Sequence, residues 1–205
     1  MGGVTPETAK SKSEIIAATD AIDKTKDNIL AHDNFTMLRL DLDETKLDVD
    51  GLEDALINLG ITSFIIHTTA SHQQNDNGNR YRVYIELADS LSYSTWATLE
   101  TYLSYVFMAD DCATRPQQIM YLPVRFKGDN YQYHVAQGEP LKVEVSELLG
   151  LANAFKQEQL SNEEAARNDQ SIKSTYNENL VGSQVSIIDA INQSYDWESL
   201  LMSYG

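Results

Sequence analysis

Two aspartates two residues apart, Asp41 and Asp43, lie in the run Met37–Asp43, where apolar and charged residues alternate. A period of two predicts a half-buried strand over Phe35–Asp43. On such a strand Arg39, Asp41 and Asp43 share one face, while Leu38, Leu40 and Leu42 point into a core. Neighbouring carboxylates repel each other unless a cation or a proton lies between them. The pair is therefore a candidate divalent-metal site, whose chemistry on a sheet would be phosphoryl transfer, with a solvated strand face as the simpler alternative. Ser71-His72 sits where a strand gives way to a loop, a place from which side chains reach ligands or merely brace the loop. Arg80 and Arg82 share a face of the next alternating run. Guanidinium groups suit bidentate phosphate binding, and could equally neutralise the aspartates. Asp110 and Asp111 follow a helix pattern, where acids oppose the helix dipole and a bound cation would relieve them.

The elements that must position these groups follow from periodicity. Thr5-Pro6-Glu7 reads as a helix start, with Ile15, Ile16, Ala18, Ile22 and Ile29 as its apolar stripe toward Leu30. After the Asp-bearing strand, Asp48 or Asp50 caps a helix through Leu52, Ala55, Leu56 and Leu59, closed by Gly60. Strands are expected over Ser63–Thr69 and Arg80–Leu87, with a loop over Gln73–Asn79 between them. A helix over Ser92–Met108, strands over Gln118–Leu122 and Tyr131–Val135, and a helix from Val145 complete the pattern. The order β-α-β-β-α-β predicts an α+β fold, a split βαβ or ferredoxin-like sheet, mixed or antiparallel, with flanking terminal helices. The expected organisation is an N-terminal helix over 1–30, the sheet domain over 31–156, and a polar linker or solvated helix over 157–182. A C-terminal helical segment over 183–205 completes it.

Composition narrows the function classes. The chain has 205 residues, 42% of them apolar, with no low-complexity run, transmembrane stretch or signal-peptide core, so a cytoplasmic protein with no membrane partner is expected. A single cysteine, Cys112, excludes an intrachain disulfide and a Cys-rich zinc ribbon, and no zinc is expected. A net charge of −16 excludes a broad basic face for gripping nucleic acid.

Taken in order, Asp-x-Asp on a strand, Thr-Thr-x-Ser-His, Arg-x-Arg on the next strand and Asp before Met-Tyr-Leu-Pro resemble an archaeo-eukaryotic-type primase. The nearest group is the primase–polymerase module of phage, plasmid and prophage replication proteins. The resemblance covers about Phe35 to Phe126. It implies a nucleotidyltransferase that joins an NTP or dNTP to a primer or initiating nucleotide on a single-stranded DNA template. It further implies that Asp41, Asp43 and Asp110 (alternatively Asp111) bind two Mg²⁺ or Mn²⁺ ions. Ser71, His72, Arg80 and Arg82 would bind the incoming nucleotide, His72 also serving catalysis. Gln118 stands where relatives carry arginine, with Arg115 nearby, and Glu86 replaces an apolar residue or proline. Ile188–Gly205 resembles the opening of a segment that follows primase modules, so a longer protein with a helicase domain or subunit is expected.

Two other functions fit parts of the pattern. A primase-like binding module for replication initiation or helicase recruitment, with weak catalysis, would suit the acidic balance and Gln118. A metal-dependent nuclease of the His-pair type needs two histidines one residue apart, whereas His67 and His72 are five apart.

Overall fold

The computed structural model describes residues 14–73, 78–122 and 131–180, with side chains up to 167. Its elements run β1 (Ile15–Ala17), α1 (Lys26–His32), β2 (Phe35–Thr45), α2 (Val49–Asn58), β3 (Ser63–Thr68), β4 (Asn79–Leu91), α3 (Tyr93–Phe107), β5 (Ile119–Tyr121), β6 (Tyr133–Gln137) and α4 (Glu147–Leu180). The chain forms two compact units, Met1–Gln157 and Glu158–Gly205. In the second, residues 158–167 are helical and exposed. The C-terminal segment over 183–205 and Pro123 lie outside the described residues.

The predicted α+β fold is present. Four strands form an antiparallel sheet in the order β2-β4-β3-β6. Leu38, Leu40, Leu42, Val83, Ile85, Phe64 and Ile66 point to one face and form the main core with Leu52 and Leu56 of α2, Trp96, Leu99 and Leu103 of α3, and Leu148 and Ala152 of α4. Local signals bound α2 as read from the sequence. Asp48 accepts the Gly51 amide at 2.9 Å to cap α2, and Gly60 follows it in the left-handed region (φ 77). Ser92 caps α3. Replacing Asp48 by Ala leaves a helix-terminal donor unmet, and thermal unfolding should show a loss of about 1 kcal/mol.

The N-terminal helix is a correction. Where one continuous helix over 1–30 was expected, Ile15–Ala17 is a strand paired antiparallel with β5, and only Lys26–His32 is helical; residues 1–13 lie outside the described set. The β-branched pair Ile15-Ile16 suits a strand, and the helical stripe is not kept: Ile29 is buried while Ile22 is fully exposed.

The placement of β5 also departs from a ferredoxin-like plan. There the fourth strand would lie beside the first, here the outer edge of β2. That edge is already occupied: Trp96 Nε1 donates to Met37 O at 3.0 Å, Glu100 Oε1 accepts the Arg39 amide at 2.8 Å, and the Asp110 amide donates to Asp41 O at 2.9 Å. With the edge groups satisfied, β5 pairs with β1 instead. Met120 of this ribbon packs with Tyr84 and Ala113, and Ile16, Met37 and Ile65 pack against them. The fourth strand of the sheet is β6, on the far side of β3.

Candidate functional site

The antiparallel register sets the candidate residues in rows on the face opposite the helices. Asp41 of β2 lies opposite Arg82 of β4, Arg82 opposite His67 of β3, and His67 opposite Tyr133 of β6. The next row is Arg39, Tyr84, Ile65 and Val135. Period-two alternation puts these side chains on one face, because the register holds it constant across four strands.

Within the first row, Arg82 meets Asp41 side-on, with Nε 3.3 Å from Oδ1 and Nη2 3.4 Å from Oδ2, while Nη1 donates to Tyr121 O at 2.9 Å. Arg82 thus ties β2 to the ribbon. A register shift after Leu42, with Glu44 in the left-handed region (φ 64), bends the end of β2. Bulges of this kind redirect side chains beside functional sites. Past the bend, Asp43 Oδ1 lies 3.3 Å from Arg80 Nη1, Glu44 Oε1 lies 3.6 Å from Arg80 Nη2, and Arg80 Nη1 donates to Ser71 Oγ at 3.4 Å. The structure therefore brings together Asp41 with Arg82, and Asp43 with Arg80 and Ser71.

His72 is held differently. Its Nδ1 accepts the Arg80 amide at 3.0 Å, and its ring packs 5.1 Å from that of Tyr81. Tyr81 belongs to the helix-covered core. The imidazole is buried, which pulls its pKa below the ordinary value. His72 stands at the margin of the acid–arginine row, beside a cavity shared with Asp48, Asp50, Asn79 and Gln132.

Asp110 is tied to the same strand through its amide bond to Asp41 O. Its carboxylate accepts the Cys112 amide at 2.8 Å, and that bond is the first cause holding its pKa low. Asp110, Asp111 and Cys112 bring ligand atoms within 4.8 Å of one another, a grouping that leaves out Asp41 and Asp43. The Asp110 bond pushes the Cys112 thiol up, away from the thiolate that a soft metal would need. The hard carboxylates of Asp41, Asp43 and Asp110 fit Mg²⁺ or Mn²⁺ in chemistry. Arginines now neutralise two of the three, so metal ions would have to displace those contacts.

Several residues of this region were given no role by the sequence, although alternation had set Arg39 on the face of Asp41 and Asp43. Arg39 is fully buried; its guanidinium donates to Ala113 O at 3.4 Å, to Arg115 O at 3.1 Å and to Gln118 O, and lies 5.8 Å from the Trp96 ring centroid. It thereby positions the segment from Asp110 to β5. Glu100 is fully buried, which pushes its carboxyl up to about 8 against the pull of Arg39. Burial takes His67 down to about 4 and Tyr84 up to about 12, so both are neutral near pH 7. Even spacing from Ser63 and Ile65 was the one clue that His67 faces this side.

No family model matches the chain, and no curated protein does so significantly. Among solved structures it is similar to the AEP domain of the primase-polymerase (PrimPol) of cyanophage S-2L, with 17% identity, a TM-score of 0.50, and coverage of 68% of this chain and 70% of that one. What the two share is the fold, an α+β domain of the archaeo-eukaryotic primase type.

Proposed function

We propose that this chain is a primase–polymerase-type nucleotidyltransferase acting in the replication of a phage, plasmid or integrated element, with a helicase domain or subunit as partner. The observation that carries the reading is the row of acid–arginine pairs, Asp41–Arg82 and Asp43–Arg80, on the open face of a primase-type sheet. An acid set beside an arginine set suits a substrate that arrives as a metal–triphosphate complex: carboxylates for the cations, guanidiniums for the phosphates.

In this reading Asp41, Asp43 and Asp110 hold the divalent ions. When bound, such ions activate the attacking hydroxyl and neutralise the departing pyrophosphate. Arg82 and Arg80 turn from their carboxylates to phosphate oxygens and stabilise the charge that grows as the bond breaks. Ser71, within reach of Arg80, orients the phosphates. His72 Nδ1 is engaged by a backbone amide that can only donate, so the neutral ring carries its proton on Nε2, a donor for phosphate oxygen. With no broad basic face, the template would be held weakly and in a salt-sensitive way.

Incorporation of labelled nucleotides on single-stranded DNA, with Mg²⁺ or Mn²⁺, tests the proposal; no product with either metal would refute it. Arg82→Ala should raise the KM for nucleotide by about tenfold or more, the scale of one lost charge-assisted contact. The engagement of both acids by arginines also favours a second reading, a primase-like binding module with weak catalysis. Calorimetric titration separates the two, because the module would bind no nucleotide in a metal-dependent way.

A further inference from the structure

The two edges of the four-stranded sheet differ. Trp96, Glu100 and the Asp110 amide occupy the outer edge of β2, whereas nothing among the described residues pairs with the outer edge of β6. The register decides which groups that bare edge presents. The Thr68 amide donates to Gln132 O at 3.0 Å and the Gly138 amide to Thr62 O at 3.0 Å, so the even-numbered residues of β6 turn their main-chain groups to β3. In an antiparallel ladder the residues between them turn theirs the other way. The N–H and C=O groups of Tyr133, Val135 and Gln137 therefore point outward.

Edge strands are commonly blocked by a charged side chain, a proline or a bulge. β6 has none of these. Tyr133–Gln137 holds no Lys, Arg, Asp, Glu or Pro in a chain of net charge −16, and its register against β3 is unbroken. Its histidine, His134, turns to the helix side, where Nε2 lies 3.1 Å from Glu53 Oε1. On the open face, Val135 and Gln137 border a mainly apolar cavity of about 510 Å³ between the β1–β5 ribbon and the sheet, walled also by Ile16, Ile65 and Leu122.

We propose that β6 is a self-pairing edge, to which β6 of a second copy of this chain adds antiparallel about a two-fold axis at Val135. The outward residues are symmetric about that position. Val135 then meets Val135 of the second copy, and Tyr133 of each copy meets Gln137 of the other. Each pair exchanges two main-chain bonds, and no like charges face each other along the strand. Tyr133, 65% exposed, falls beside Gln137 of the other copy, at the rim of that copy's cavity, where its ring covers apolar surface. A second copy brings a tyrosine to both rims at once, which an unrelated strand would not. Such a contact closes at a dimer. The axis stands perpendicular to the sheet, so both acid–arginine rows face the same side of one continuous sheet. Nothing in this pairing depends on what those rows bind.

Sedimentation equilibrium of the full chain is the test. A seam this short falls below the ~1,200 Å² of stable interfaces, so the dimer should be a weak, micromolar one. Added salt should tighten it severalfold, because two acidic chains repel while the paired strands hold no ion pair to screen. Val135→Lys sets like charges at the axis. Gln137→Pro removes an outward donor without touching a bond to β3. Each should weaken the dimer about tenfold or more, with melting curves close to the parent's. Hydrogen exchange gives a readout free of any variant. The amides of Tyr133, Val135 and Gln137 should exchange fast in dilute solution and slow as concentration rises, while that of Ala136, which faces β3, stays protected throughout. A chain that remains monomeric at the highest concentration overturns the proposal. So does a dimer that both variants leave intact. Outward amides already slow in the monomer overturn it too, because another part of the chain would then cover the edge.

Discussion

Asp41→Asn should cut nucleotide incorporation by roughly 10³-fold, about 4 kcal/mol of transition-state stabilisation, while thermal stability barely moves. Asparagine keeps the shape of the side chain and can still accept from Arg82, so the fold loses little. The Asp41–Arg82 pair is also partly exposed, with side chains 26% and 12% accessible, and such pairs contribute about 1 kcal/mol or less. What asparagine cannot do is offer the negative charge that a divalent ion requires. Single-turnover incorporation on a primed template and a melting curve of the same sample are the two measurements. Near-normal incorporation in Asp41→Asn, and again in the Asp41→Ala, Asp43→Ala double variant, would exclude these aspartates from the chemistry.

Arg39→Met should destabilise the first compact unit by about 3–5 kcal/mol, read from the urea midpoint. The substitution nearly conserves volume but leaves the carbonyls of Ala113, Arg115 and Gln118 without their shared donor. It also removes the positive charge that favours the buried Glu100 carboxylate. Lysine keeps a charge but lacks the planar fork, so Arg39→Lys should recover only part of the loss. Because these carbonyls anchor the segment from Asp110 to β5, incorporation should fall with stability in Arg39→Met, whereas Asp41→Asn separates the two.

The same pair sets a pH dependence. Glu100 has its carboxyl raised from 4.5 to about 8, so between those values the folded chain keeps a proton that the unfolded chain has released. Stability should therefore fall as pH rises through that window, by up to ~1.4 kcal/mol per pH unit. Glu100→Gln should flatten this part of the profile, and an unchanged slope would show that the carboxyl is ionised when folded.

The architecture was largely legible from spacing. Period-two alternation marked β2 and β4, and with them the shared faces of Asp41 with Asp43 and Arg80 with Arg82. Periodicity marked α2 and α3 to within a residue or two, with an aspartate cap and a terminal glycine at α2. Such signals are local, since alternation and capping depend only on neighbours along the chain. Ile15-Ile16 misled because two apolar residues fit a helical stripe as well as a short strand, and only β5 offers them a partner.

Which residues meet across the sheet was another matter. That Asp41 faces Arg82 while Asp43 reaches Arg80 depends on the register of β2 against β4 and on the bend at Glu44. That His72 turns toward Tyr81 depends on a backbone amide eight residues away. The Arg39–Glu100 pair joins residues 61 positions apart, and the cavity between ribbon and sheet exists because Trp96, Glu100 and Asp110 occupy the edge that β5 would otherwise have taken. Residue types along the chain set which groups could do chemistry. Long-range register and edge satisfaction, which no local pattern encodes, set which of them face one another.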